Sequence, residues 1–153
     1  MQKDFLIKAT PNVSLVTLNN IESDVHSLRA VFKIVADEGI CIDMVSQTAP
    51  LNNSVNLSFT INDSDTAKVI SVIYKFKEVF GNLTTQILSN NTKFLIAGEK
   101  MRTEAGVAAT VFDILAEENV PISLITTAET EISILVADEY TEAVNRVLTK
   151  NLG

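Results

Sequence analysis

The chain has 153 residues, 46% hydrophobic and 20% charged. That is enough apolar material for a globular core, and no apolar run approaches the roughly 20 residues that a membrane helix needs. A formal net charge of -7 with no Lys/Arg cluster excludes a phosphate-tracking surface, so neither nucleic acid nor a membrane is an expected partner. The single cysteine, Cys41, excludes an internal disulfide. With no leader-like apolar stretch after Met1, it fits a reducing, cytoplasmic setting.

In chain order, Asp4–Ala9 is a strand candidate, and Val13–Leu18 is a β-branched strand. Leu28, Val31, Phe32 and Val35 recur at helical spacing and predict a helix from Ser27 to Glu38, which Gly39 ends. Ile40–Val45 reads as a strand with Ile40, Ile42 and Met44 alternating. Val55–Ile61 alternates apolar and polar residues, as a sheet with one solvated face requires. Asp63 or Ser64 is the expected cap of a second helix over residues 65–77. Thr84–Leu88 closes this first set. A second set follows: strand Lys93–Ala97, helix Gly106–Glu117, strands Ile122–Thr126 and Glu131–Ala137, and helix Thr141–Thr149.

The two sets are one unit written twice. An offset of 80 residues pairs Phe32 with Phe112, Ile34 with Ile114, Glu38 with Glu118 and Val45 with Ile125. Upstream it pairs Leu15 with Leu95 and Val16 with Ile96. Beyond the loop at Pro50–Asn53 the offset falls to 75, pairing Phe59 with Ile134 and Val69 with Val144. The second set lacks a closing strand, and the offset of 80 places Phe5, Leu6 and Ile7 opposite Thr85, Gln86 and Ile87. The expectation is an α+β fold of two ferredoxin-like βαββαβ units, antiparallel sheets with helices on one face. The first unit (11–89) is nested in the second (1–10 plus 90–153), whose sheet the N-terminal strand completes. Neither half would fold well alone, since each leaves a sheet position unfilled.

The chemistry-bearing residues are few. His26 is the only histidine, so no metal cluster and no Ser-His-Asp triad can form around it. It reads either as a ligand contact or as an exposed first-turn side chain. Cys41 reads as a redox switch or, in an alternating strand, as a small core filler. Gln47 reads as a ligand contact or a strand-end polar residue, and Met101 with Arg102 as pocket-shaping or as packing and solvated residues. Asp37-Glu38 and Glu117-Glu118 end equivalent helices, with no base or metal ligand beside them. There is no GxxxxGK[ST] and no GxGxxG. No catalytic residues, metal or cofactor are expected.

The motifs permit a narrower comparison. Ile42-Asp-Met-Val-Ser-Gln47 resembles an "IDMI-Q" strand and Leu57-Ser-Phe-Thr60 an "ISFT" strand. Gly98-Glu-Lys-Met-Arg102 with Gly106-Val-Ala-Ala109 and Phe112 resembles "GxGMR…GVAAxxF". Ile125-Thr-Thr-Ala-Glu129 with Ile132-Ser133 resembles "ISTSE…IS". In that order the chain resembles, over nearly its whole length, the tandem ACT regulatory region of aspartate kinases. The resemblance implies feedback control of the first step toward lysine, threonine and methionine. It implies a homodimer formed through ACT sheets, with lysine or threonine bound at ACT–ACT interfaces. It also implies a kinase domain or catalytic subunit as partner, none of whose motifs occur here.

Carried over residue by residue, the resemblance makes Ser23, Asp24, His26, Leu28 and Gln47 the effector contacts of the first copy. Those of the second are Val107, Ala108, Pro121, Ile122, Ala128 and Glu129. Gln47, Val107, Ala108, Ile122 and Glu129 keep the family's residue type. Ser23 stands for an acid (Asp24 is next), His26 for a glycine, Leu28 for a small residue, Pro121 for asparagine and Ala128 for serine. The alternative is an ACT module that pairs subunits and binds no ligand.

Overall fold

The computed structural model describes residues 4–153. Its strands and helices run in the order β1 (Leu6–Glu22), α1 (Val25–Asp37), β2 (Val45–Gln47), β3 (Ser54–Asn62), α2 (Thr66–Val79), β4 (Thr84–Ala97), α3 (Lys100–Thr103), α4 (Val107–Glu117), β5 (Leu124–Thr127), β6 (Glu131–Ala137) and α5 (Thr141–Asn151). The chain divides into two compact units, Asn12–Ser89 and Met1–Pro11 with Asn90–Gly153, here the inner and outer units. The long strands β1 and β4 each supply a segment to both.

In the inner unit the strand order is β2-β3-β1-β4. β3 pairs antiparallel with both β1 and β2. Val16 and Leu18 of β1 and Leu57, Phe59 and Ile61 of β3 point to one side. There they meet Val31 and Val35 of α1 and Val69, Val72 and Phe76 of α2 in one core. Both helices therefore cover the same face. Leu28 and Phe32 flank this stripe, partly buried, as helical periodicity requires. The outer unit has the order β1-β4-β6-β5. Its core joins Phe94, Ile96, Ile132, Ile134 and Val136 to Val111, Leu115, Val144 and Leu148, with Phe5 and Ile7 packed alongside. The other face of the strands is not uniformly wet: Leu15, Thr60, Ser133 and Leu135 are buried.

Several local expectations are corrected. The strands at 4–9 and 13–18 are one, as are those at 84–88 and 93–97. Within these continuous strands Asn12 and Asn90 take positive φ, 61° and 60°. Asparagine tolerates the left-handed region better than most residues. The strand expected at Ile40–Val45 is confined to Val45–Gln47. Ahead of it the pairing is irregular: Thr60 O accepts from Asp43 N (3.1 Å) while Thr60 Oγ1 accepts from Met44 N (2.9 Å). Cys41 is exposed, not a core filler, because Ile40 and Met44 on either side of it take the inward positions.

The second helix is preceded by a 3₁₀ turn, Asp63–Asp65, which Asn62 caps by accepting from Ser64 N at 3.0 Å. Asp63 instead accepts the hydroxyl of buried Ser14 at 2.6 Å. The upstream repeat offset also changes. Val16 faces Phe59 as Phe94 faces Ile134, so Val16 corresponds to Phe94 and not to Ile96. A slip of two residues keeps every side chain on its face, which is why alternation did not reveal it. The second copy spends those two residues on α3.

The recurring glutamates at the helix ends have a structural role. Lys75 of α2 lies 3.6 Å from Glu38, and Arg146 of α5 lies 3.7 Å from Glu118. Each pair ties the two helices of one unit at their solvated edge, where such pairs contribute little.

Candidate functional site

In the inner unit, β1 ends at Glu22 and the chain turns at once into α1. Ser23 N donates to Asn53 O and Asp24 N to Glu22 O, both at 2.9 Å. Asp24 is extended (φ -147°) and caps the helix: Oδ1 accepts from Ser27 N at 2.9 Å, and Oδ2 from Ser27 Oγ at 3.2 Å. Chiefly the Ser27 amide holds the Asp24 carboxyl below its usual range, against a smaller opposing effect of desolvation. A bond that favours the charged form does this.

A cleft of about 210 Å³ opens beside this turn, lined by Glu22, Ser23, Asp24, Val25, Leu28, Gln47 and Val55. Ser23, Asp24, Leu28 and Gln47 were expected as effector contacts, and the fold brings these four together. Gln47 arrives there from β2, in register with Leu57. His26, the fifth, is an exposed residue within α1 and does not line the cleft. A larger, open depression of about 810 Å³ shares Glu22, Ser23 and Asp24 and continues over Asn20, Asn52, Asn53 and Asn82. Asn20, Asn52 and Asn53 have φ of 65°, 51° and 59°, so asparagine backbone shapes its wall. Among the described residues, two carboxylates and no cationic side chain line either space. The asparagine wall carried no sequence signal beyond the polarity of the loops.

The outer unit differs. Gly106, with φ 86°, stands at the N-cap of α4, and Val107 and Ala108 open the helix. Pro121 and Ile122 precede β5, Pro121 exposed and Ile122 packed against the core. Ala128 and Glu129 lie in the β5–β6 turn, which Ala128 N closes on Glu131 O at 2.9 Å. Arg102 Nη2 donates to Glu129 Oε2 at 2.8 Å, with both side chains more than half exposed. Of the six expected contacts only Val107 lines a cavity of about 240 Å³, formed with Asp4, Phe5, Lys100, Glu104, Thr110, Asn151 and Leu152. Sequence reasoning missed this cavity and the ion pair of Lys100 with Asp4 inside it. Residues 96 apart in the chain leave no local pattern.

Among the described residues no group of three His, Cys, Asp or Glu side chains is placed to hold a metal ion. No helix among them is long and apolar enough to cross a membrane.

The ACT domain family model matches residues 94–152. The aspartokinase of Geobacillus stearothermophilus is 28% identical over 128 residues, 84% of this chain and 30% of that protein. The crystal structure of aspartokinase alpha and beta subunits holds a chain 28% identical, with a TM-score of 0.80, covering 94% of this chain and 95% of that one. The ligand-free regulatory subunit of aspartate kinase from Thermus thermophilus has a TM-score of 0.86 at 22% identity, covering 96% and 97%. This chain spans about a third of the length of the curated relatives it matches, and its 153 residues include no kinase domain. The chain carries an ACT domain at residues 94–152 and is similar over most of its length to part of the aspartokinases.

Proposed function

We propose that the chain is an amino-acid-binding regulatory module of an aspartate kinase, acting in the cytoplasm. It is built of two ACT units, 11–89 and 1–10 with 90–153, the first nested in the second. It pairs with a second copy through its ACT sheets and takes lysine or threonine where ACT units meet. The observation that carries this reading is the cleft at the β1–α1 turn, where Ser23, Asp24, Leu28 and Gln47 converge.

The chemistry of the cleft suits a free amino acid. A carboxylate ligand needs backbone N–H groups; in the first turn of α1 those of Ser27 and Leu28 already donate to Asp24, so a ligand carboxylate would have to displace the Asp24 cap to reach them. An ammonium needs acceptors, and Glu22, Asp24 and the Gln47 side-chain oxygen supply them. With two acids and no base in the lining, the field favours lysine, with its second ammonium, over threonine. Effector binding would then bias an attached or associated kinase by linkage, favouring one arrangement over another.

A second reading is an assembly module without a ligand. The Arg102–Glu129 pair favours it, since Glu129, one of the expected contacts, is already engaged. So do Val45 and Ile125, equivalent residues left 45% and 44% exposed on β2 and β5. Thermal melting of the chain with each common amino acid at millimolar concentration separates the two. A binder gains RT ln(1 + [L]/Kd), about 2.7 kcal/mol at a hundredfold excess over Kd. A rise in Tm with lysine and a smaller one with threonine is expected. No shift with any amino acid, in a chain that still dimerises by sedimentation, selects the assembly reading.

A further inference from the structure

We propose that the Asp4–Lys100 ion pair and the Phe5–Gly98 contact form a latch, through which the α3 loop and the residues leading into β1 open and close as one element. Three observations within the outer unit carry this. The Lys100 ammonium pairs with the Asp4 carboxylate, and Glu104 Oε1 lies 4.0 Å away on its other side. Gly98 is so tightly covered that a Cβ there would fall 2.5 Å from Phe5 Cδ1 and 2.9 Å from Asp4 O. And α3, which borders the 240 Å³ cavity, fully buries none of its residues; apart from the latch, Met101 packed against the core and the exposed Arg102–Glu129 pair hold it down.

The consequence is directional. The Gly98–Gly106 segment runs into α4, where Val107 and Ala108 are expected effector contacts. A ligand that displaces this segment pulls on Asp4 and Phe5 and shifts the start of β1. The bond to Asp4 also raises the Lys100 pKa. As both side chains are partly exposed, salt weakens the pair. The ligand arm rests on the amino-acid-binding reading above; the latch itself does not.

Hydrogen exchange followed by mass spectrometry on the full chain tests it, using peptides covering 4–10, 98–106 and 109–116. Without ligand, Lys100→Met is expected to speed exchange of the first two segments by a common factor of about two to five, leaving 109–116 unchanged. The exchanged pair Asp4→Lys with Lys100→Asp restores both segments. In 1 M salt the wild type moves toward Lys100→Met. Acceleration of 98–106 with 4–10 unchanged, or failure of the exchanged pair to restore, overturns the latch. With lysine present, protection reaches 4–10 in the wild type and not in Lys100→Met. Equal protection of 4–10 in both also overturns it. If no amino acid shifts Tm, the binding reading falls while the ligand-free comparison still decides the latch.

Discussion

Gly98→Ala should cost the outer unit stability in a way that Gly81→Ala does not. The Cβ of an alanine at 98 would meet Phe5 Cδ1 at 2.5 Å, Phe5 Cε1 at 2.9 Å and Asp4 O at 2.9 Å. Carbon atoms rest about 3.5–4.0 Å apart, so about 1 Å of overlap must be relieved. The Phe5 ring can tilt, but it packs against the core of its unit. The Asp4 carbonyl is backbone, and Gly98 itself is fixed by its N–H bond to Thr130 O at 2.8 Å. Overpacking of this kind costs about 1–3 kcal/mol. For a chain of this size that lowers Tm by roughly 2–12 °C. Gly81, in contrast, has nothing within 4 Å of an added Cβ and no left-handed φ. Alanine there should be neutral, or stabilise by up to about 1 kcal/mol through the unfolded chain. Urea titrations followed by circular dichroism, with an unchanged m-value, measure both. Equal midpoints for the two variants would refute the close approach of Phe5 and Asp4 to Gly98.

Ser14→Ala should cost about 1–3 kcal/mol in thermal melts, because Ser14 is fully buried and lies 2.6 Å from Asp63 Oδ1, 2.7 Å from Thr66 Oγ1 and 3.0 Å from Ser89 Oγ. The Asp24 cap should make the start of α1 acid-sensitive. Its folded pKa is lowered, so its stabilisation is present above the ordinary carboxylate range and lost as pH falls through the lowered value. In Asp24→Asn, whose amide oxygen caps without titrating, the amides of the first turn should lose that part of their acid dependence. An identical acid profile in both proteins contradicts the assignment. Cys41 should react with a thiol reagent in the native chain at nearly the rate of a free thiol; protection beyond tenfold would place it in the core.

The parts of the fold that were legible are those that obey a single period. Val31 with Val35, and Val111 with Leu115, sit at helical spacing and are buried. Leu57, Phe59 and Ile61 sit at strand spacing and are buried too. Where two conformations share a period, the sequence was ambiguous. A strand looks the same after a two-residue slip, so Val16 was matched to Ile96 when pairing equates it with Phe94. Asparagines with positive φ carry the chain onward at Asn12 and Asn90 and round the end of α4 at Asn119, and nothing in composition separates the two uses. Contacts between residues far apart in the chain, such as Lys100 with Asp4, belong to the packed unit and not to any local pattern.

The candidate sites show what one substitution in a repeat can do. Gly106 adopts φ 86° and lets α4 begin at Val107. His26, its counterpart in the first copy, does not take that conformation; α1 begins at Val25, with Asp24 as its cap. Relative to the repeat, the inner helix therefore starts two residues earlier, which at 1.5 Å per residue shifts its first-turn N–H groups by about 3 Å. That shift explains why His26 leaves the cleft while Asp24 enters it. The acid that the family places at Ser23 is replaced one position on, by a residue already engaged with the helix. In the second copy the Arg102–Glu129 pair occupies one of the expected contacts instead. A repeat with equal folds thus carries unequal chemistry: a cleft lined by two carboxylates and, among the described residues, no cationic side chain in one unit, and an internally neutralised pair in the other. A cationic ligand gains a partner in the first without breaking any ion pair, whereas in the second it must first separate Arg102 from Glu129.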